Sequence, residues 1–157
     1  MRCLFLISLL ALSYFAIAQD FAAEKEIQVI DSLIQSRQLT TAQRKTDSLY
    51  KQLALQKTGE QKAQLLELKY RQALIIDRQE ESPAESLKIL IDMIDEVEAA
   101  RLYSLSYHVY LLMALCYEKS DNLELTRDYL KKAYKVYEEH NLESIYSTYC
   151  IRISSYY

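Results

Sequence analysis

Glycine and proline, the two residues that most often interrupt regular structure, are almost absent from this chain. Gly59 and Pro83 are the only examples among 157 residues, far below the usual abundance of either. This scarcity suits a nearly all-helical protein, and we therefore expect an all-α fold. A phosphate-binding loop or a dinucleotide-binding fingerprint needs at least two closely spaced glycines, because backbone must approach phosphate. One glycine excludes both motifs.

Apolar residues recur with helical spacing along most of the chain. Thr41 is the expected cap of the second helix, and Ser82 caps the fourth, with Pro83 in its first turn. Turn-forming or polar residues separate the helices. The pattern predicts seven helices, over 21–36, 40–56, 60–78, 83–102, 104–119, 122–140 and 142–157.

The stretch 107–140 carries the clearest pattern. Tyr110, Met113, Ala114 and Tyr117 form one stripe of a helix, since they follow the spacing i, i+3, i+4, i+7. A polar turn over 118–122 leads to a second helix with an inward stripe of small and large residues. That stripe consists of Thr126, Leu130 and Ala133. We expect Ala114 to be buried against the second helix, where small residues permit close approach.

This helix pair resembles a tetratricopeptide repeat (TPR), in which bulky, large, small and aromatic positions on the first helix face small and large positions on the second. Ala114 stands where the family usually has glycine, and Glu138 where a proline often closes the repeat. The resemblance implies a right-handed α-solenoid of antiparallel helix pairs. It covers about 21–157 and is most specific over 107–140.

The repeat has a spacing of 40 residues, longer than the minimal unit of 34. Small positions recur at Thr46, Ser86 and Thr126. Two further series follow in step: Tyr50, Leu90 and Leu130, and then Leu53, Met93 and Ala133. The stripe of 110–117 returns in the last helix as Cys150, Ile153, Ser154 and Tyr157. We expect one domain over 20–157 with about three repeats, the last of them incomplete, similar to the exported repeat regions of bacterial signalling proteins.

The first 19 residues have the organisation of a signal peptide. Arg2 precedes an apolar run over 4–12, and a small residue, Ala16, stands two positions before another, Ala18. We expect export to the periplasm or another extracytoplasmic compartment, with a mature chain starting at Gln19 or Asp20. An uncleaved anchor is the alternative, but the apolar run is short for a membrane span.

No constellation for catalysis, metal or cofactor binding is evident in the sequence. His108 and His140 lack metal-ligand spacing and have no nucleophile placed nearby. The chain has 22 acidic and 19 basic residues and no basic run, so it offers no electrostatic footprint for nucleic acid. A disulfide between Cys116 and Cys150 is one hypothesis. We favour free thiols, because repeat positions offset the two by about 9 Å along the helices, beyond disulfide reach.

The resemblance implies a non-enzymatic scaffold that binds a protein or peptide and needs no cofactor. Leu111 and Leu115, which we expect to be partly exposed, stand where clamps for acidic chaperone tails carry Lys or Asn, so a mixed or aliphatic groove is implied. The expected groove residues are Tyr70, Arg71, Leu74, His108, Leu111, Leu115, Glu118, Lys119, Thr148 and Arg152.

The competing hypothesis is an extracytoplasmic sensor module of a histidine kinase or a membrane-tethered helix-turn-helix regulator. Such an array would precede a membrane span and an effector. The apolar stripe over 142–157 has no helix after it to cover it. We therefore expect the 157 residues to be the N-terminal piece of a longer protein with a membrane-anchored downstream region. The sequence beyond Tyr157 discriminates between the two hypotheses.

Overall fold

Helices make up nearly all of the described structure. The computed structural model describes residues 22–55, 61–79 and 82–142, and in these ranges it has six helices and no strand. The predicted all-α class is confirmed. The helices are α1 (22–35), α2 (Leu39–Ala54), α3 (Gln61–Arg78), α4 (Pro83–Ala99), α5 (Tyr103–Lys119) and α6 (Leu123–His140).

The chain divides into two compact units, one ending at Gln64 and the other beginning at Leu65. The expectation of one repeat domain over 20–157 stays a prediction. The predicted signal peptide over 1–19, Gly59 and the predicted last helix over 142–157 lie wholly or almost wholly outside the described residues.

Four helices end in the same tight turn, with one residue in the left-handed conformation. Arg37, Arg101, Asp121 and Asn141 have φ between 48° and 58°. In each turn the next amide donates back to a carbonyl five residues earlier, as Leu102 does to Val97 at 3.2 Å. This is the Schellman geometry, usually completed by glycine. Arg, Asp and Asn occupy the position here, although a left-handed residue with a side chain costs about 1–2 kcal/mol.

These turns correct two predicted helix boundaries. The fourth helix ends at Ala99 rather than 102, because Arg101 turns the chain out of the helix. Thr41 does not cap the second helix. The cap residue is Gln38, whose carbonyl accepts from the Thr41 amide at 3.1 Å. Ser82 and Pro83 hold their predicted places at the start of α4, although the Ser82 side chain makes no capping hydrogen bond.

The first unit contains the helical hairpin of α1 and α2. A short turn makes the two helices antiparallel neighbours, and Lys45 on α2 donates to Glu26 on α1 at 2.9 Å. Thr46 is buried and donates its hydroxyl to the Ala42 carbonyl at 2.8 Å, which satisfies a polar group inside the hairpin. The buried apolar residues are Ala23, Ile30, Ile34, Ala42, Leu49 and Leu53.

In the second unit, α5 is the central helix. The predicted apolar stripe of 110–117 is buried except at Tyr117, which is half-buried, but burial extends around most of the helix. The cause is that α3, α4 and α6 all contact α5, and a helix that is apolar on all sides is a buried one. Its buried residues are Leu105, Ser106, Tyr107, Val109, Tyr110, Leu111, Leu112, Met113, Ala114 and Cys116.

Eight of the nine predicted small and large positions at 40-residue spacing are buried. Thr126 donates its hydroxyl to the Asn122 carbonyl at 2.8 Å, the same bond that Thr46 makes within α2. Ser86 instead donates to the Ala73 carbonyl at 3.0 Å and so links α4 to α3. The buried members are Thr46, Leu53, Ser86, Leu90, Met93, Thr126, Leu130 and Ala133, whereas Tyr50 is half-buried.

Candidate functional site

In the second unit, α3 and α5 are the first helices of the hairpins α3–α4 and α5–α6, and their side chains contact each other at two places. We call the side chains at and between these two contacts the α3/α5 seam. Its members are Tyr70, Leu74 and Asp77 on α3 and His108, Leu115 and Lys119 on α5. Contacts between the helices mark both ends, and residue numbers increase in the same direction along both, so α3 and α5 are parallel. The α5 side of the seam is about 16 Å long at the α-helical rise.

The start of the seam is aromatic. The rings of Tyr70 and His108 have centroids 6.0 Å apart and an interplanar angle of 36°. The His108 ring also meets the Tyr107 ring edge-on at 5.4 Å. Leu74 and Leu115 follow along the seam, half-buried and packed against the core of the second unit. This part of the surface is therefore aromatic and aliphatic.

The end of the seam is a polar cluster. Lys119 Nζ donates to Asp77 Oδ1 at 2.7 Å and to the Asp77 carbonyl at 3.1 Å. The Asp77 side chain is 9% exposed and the Lys119 side chain 43%. Cys116 Sγ donates to the same Asp77 oxygen at 3.7 Å. The buried carboxylate thus has a cation and a thiol as partners, and it ties α3 to α5.

Burial also determines the state of the Cys116 thiol. Burial raises its pKa to about 11, against an opposing hydrogen bond with Ser86, and the nearby Asp77 carboxylate raises it further. Cys116 is a free thiol, as the sequence predicts, and Cys150 lies outside the described residues. A thiol with so high a pKa is protonated at neutral pH and is a poor nucleophile.

We expect alkylation of Cys116 to require unfolding. At pH 8 the pKa rise from 9.0 to about 11 lowers the thiolate fraction about 100-fold, and burial blocks the reagent as well. Mass spectrometry of the peptide containing Cys116 should show labelling in denaturant without reductant and almost none in the native protein. Rapid native labelling would contradict the burial of this helix face.

The structure describes eight of the ten predicted groove residues, of which one is buried, one is exposed and six are half-buried. Leu111 was expected to be partly exposed, and this is wrong: its side chain is 3% exposed because α5 is covered on several sides. Lys119 is exposed. Thr148 and Arg152 lie outside the described residues. The half-buried members are Tyr70, Arg71, Leu74, His108, Leu115 and Glu118.

Arg71 lies beside the seam with its charge already compensated. Its Nη1 donates to the Glu67 carbonyl at 3.0 Å and to the Glu67 carboxylate one helical turn away. The Arg71 side chain is only 11% exposed. Both cations among the described groove residues, Arg71 and Lys119, therefore have carboxylate partners within the protein.

Sequence reasoning missed the role of Asp77. The residue lies seven positions after Tyr70, on the same side of α3, so helical spacing alone places a carboxylate on an inward stripe. That placement was the available signal. Its partner Lys119 is 42 residues away in sequence, a pairing that only the packing of α3 against α5 creates.

A second aromatic cluster joins α4, α5 and α6. The Tyr110 hydroxyl donates to the Glu98 carboxylate. The pKa of Tyr110 is raised mainly by burial and, to a smaller extent, by this hydrogen bond. Lys132 Nζ lies 4.7 Å above the Tyr129 ring, which stacks on Tyr117 at 5.3 Å. Burial likewise raises the pKa of Tyr117. These contacts pack the helices together, as predicted for Tyr110 and Tyr117.

Neither a metal site nor a membrane span emerges in the described ranges. There, no three side chains among His, Cys, Asp and Glu are grouped so that they could hold a metal ion. Within the same residues, no helix has the length and apolar character needed to cross a membrane.

Comparisons with protein-family models, with curated proteins and with solved structures found no match. The tetratricopeptide resemblance therefore stays a prediction based on residue pattern.

Proposed function

We propose that this chain is a non-enzymatic scaffold that binds a protein or peptide along the α3/α5 seam. The observation that carries the proposal is that α3 and α5, the first helices of two consecutive hairpins, run in the same direction and contact each other at both ends of the seam. Stacked hairpins of this kind build the extended binding surfaces of helical-repeat proteins. Here, the seam joins aromatic and aliphatic side chains of both helices.

We propose further that the hairpins form a right-handed, TPR-like solenoid with a 40-residue period. The turns that end α4 and α6 support this arrangement. The Leu102 amide donates to the Val97 carbonyl at 3.2 Å, and the equivalent Leu142 amide donates to Tyr137 at 3.4 Å. The chain thus leaves both helices through the same geometry, as a regular stack of hairpins requires.

The chemistry of the seam favours binding over catalysis. Half-buried Tyr70, Leu74, His108 and Leu115 offer rigid contact area to a partner. The nearest thiol, Cys116, is buried with a pKa of about 11, which suits a packing role.

A substitution at Leu115 tests this function. Peptides are first selected from a displayed library on the wild-type protein. Leu115→Asp should weaken their binding at least 30-fold, because it places a charge in the middle of the apolar seam. Ala114→Leu should lower the free energy of unfolding by about 1–3 kcal/mol through overpacking, more than Leu115→Asp does, yet leave the seam intact. Calorimetry measures the binding and urea denaturation the stability.

The matched control is Leu123→Asp, which introduces the same charge at an exposed position of α6. It should preserve both binding and stability. Unchanged binding in Leu115→Asp, or equal destabilisation by the changes at 114 and 115, would argue against the seam as the binding surface.

A further inference from the structure

We propose that the α3/α5 seam accepts a neutral peptide segment with large apolar side chains and discriminates against acidic segments. The inference rests on the proposed function and specifies the chemical class of the partner. It follows from the ion pairs that Arg71 and Lys119 make within the protein and from the apolar and aromatic side chains of the seam.

The two cations among the described groove residues, Arg71 and Lys119, are already bound to carboxylates of the protein. Lys119 Nζ donates to Oδ1 of the buried Asp77 at 2.7 Å. Arg71 Nη1 donates to both the side-chain carboxylate and the backbone carbonyl of Glu67. An acidic peptide would have to displace one of these carboxylates. Exchanging one carboxylate for another yields little free energy, and leaving Asp77 buried without its cation is unfavourable.

Glu118 adds to the discrimination. It is a half-buried acid on α5, adjacent in sequence to Lys119. A carboxylate brought to this end of the seam meets the negative charges of Asp77 and Glu118 as well as the positive charges of Lys119 and of Arg78, the residue after Asp77. The local balance therefore offers no net attraction for an anion.

The remaining source of affinity is apolar. Leu74 and Leu115 are half-buried on the core, and Tyr70 contacts His108 at the start of the seam. A partner that places large apolar side chains over these four residues removes their exposed area from water. Such a partner leaves both internal ion pairs intact.

The test is the composition of peptides selected from a random displayed library on the full chain. Only peptides whose binding is weakened at least 30-fold by Leu115→Asp are counted as seam ligands. We expect these ligands to have near-zero net charge and at least two large apolar residues. Synthetic versions with two added aspartates should bind at least 10-fold more weakly.

A charge-releasing variant sharpens the test. Glu67→Gln removes the charge of the Arg71 partner but keeps an amide oxygen that can accept from Arg71, and the bond from Arg71 to the backbone carbonyl of residue 67 is unaffected. The Glu67 side chain is also 39% exposed, so we expect the fold to tolerate the change. This variant should bind the aspartate-containing peptides at least 5-fold better than wild type does, and salt should suppress the difference. Glu139→Gln makes the same charge change on α6, far along the chain in an exposed ion pair, and should have no such effect.

The outcomes separate the two proposals. If seam ligands are enriched in Asp and Glu, or if Glu67→Gln and Glu139→Gln act alike, the chemical assignment is overturned and the binding function stands. If no selected peptide is sensitive to Leu115→Asp, the binding function itself fails, and the assignment fails with it.

Discussion

Replacing Leu90 with Ala should lower the free energy of unfolding by about 2–5 kcal/mol. Leu90 has no exposed area and belongs to the core of the second unit, at the middle of the predicted series Tyr50, Leu90 and Leu130. Truncation removes buried apolar atoms and leaves a cavity that close-packed neighbours fill only in part. Urea denaturation followed by circular dichroism measures the change.

Two other leucines serve as controls for the same chemical change. Leu130 lies 40 residues after Leu90 in the repeat and is also buried. Leu130→Ala should therefore lower the free energy of unfolding by a similar amount. Leu123→Ala, at a side chain that is 54% exposed, should change the free energy by no more than about 0.5 kcal/mol. Equal losses at 90 and 123 would mean that the repeat register does not define the core.

Lys119→Met should destabilise the protein by about 1–3 kcal/mol, and more than Asp77→Asn does. The asymmetry follows from exposure: Asp77 is buried and Lys119 reaches solvent. Removing Lys119 leaves a buried carboxylate without its cation, whereas removing the charge of Asp77 leaves a lysine that water can solvate. The measurement is the free energy of unfolding of both variants under identical conditions.

Lys135→Met is the matched control for this prediction. Lys135 forms an exposed ion pair with Glu139 at 3.7 Å on α6, and exposed pairs contribute little to stability. We expect a change within about 0.5 kcal/mol. If Asp77→Asn costs more than Lys119→Met, the buried ion pair does not tie α3 to α5 in the way we describe.

The helices could be predicted from the sequence because their signals are local. Apolar spacing and the scarcity of Gly and Pro located the first six helices, and Ser82 with Pro83 marked the start of α4. The predicted end of α4 at residue 102 was wrong, because Arg101 adopts a left-handed conformation that usually favours glycine. A turn made by an arginine leaves no sequence signal of the usual kind.

The seam could be predicted only in part, because burial there depends on contacts between distant elements. Leu111 follows the groove position of the family, yet packing around α5 buries it. Asp77 and Lys119 pair across 42 residues, and no local pattern announces that pair. Tyr70 and His108 were both among the predicted groove residues, and their rings are neighbours in the structure.

The most direct test of the account is a methyl NMR titration of the full chain with a selected peptide. The protein is labelled at leucine and isoleucine methyl groups, and shift changes are followed residue by residue. We predict the largest changes at Leu74 and Leu115, in the seam, and none at Ile91 and Leu123, which are exposed on α4 and α6. Changes at Ile91 and Leu123 with unmoved signals for Leu74 and Leu115 would contradict the assignment of the α3/α5 seam as the binding surface.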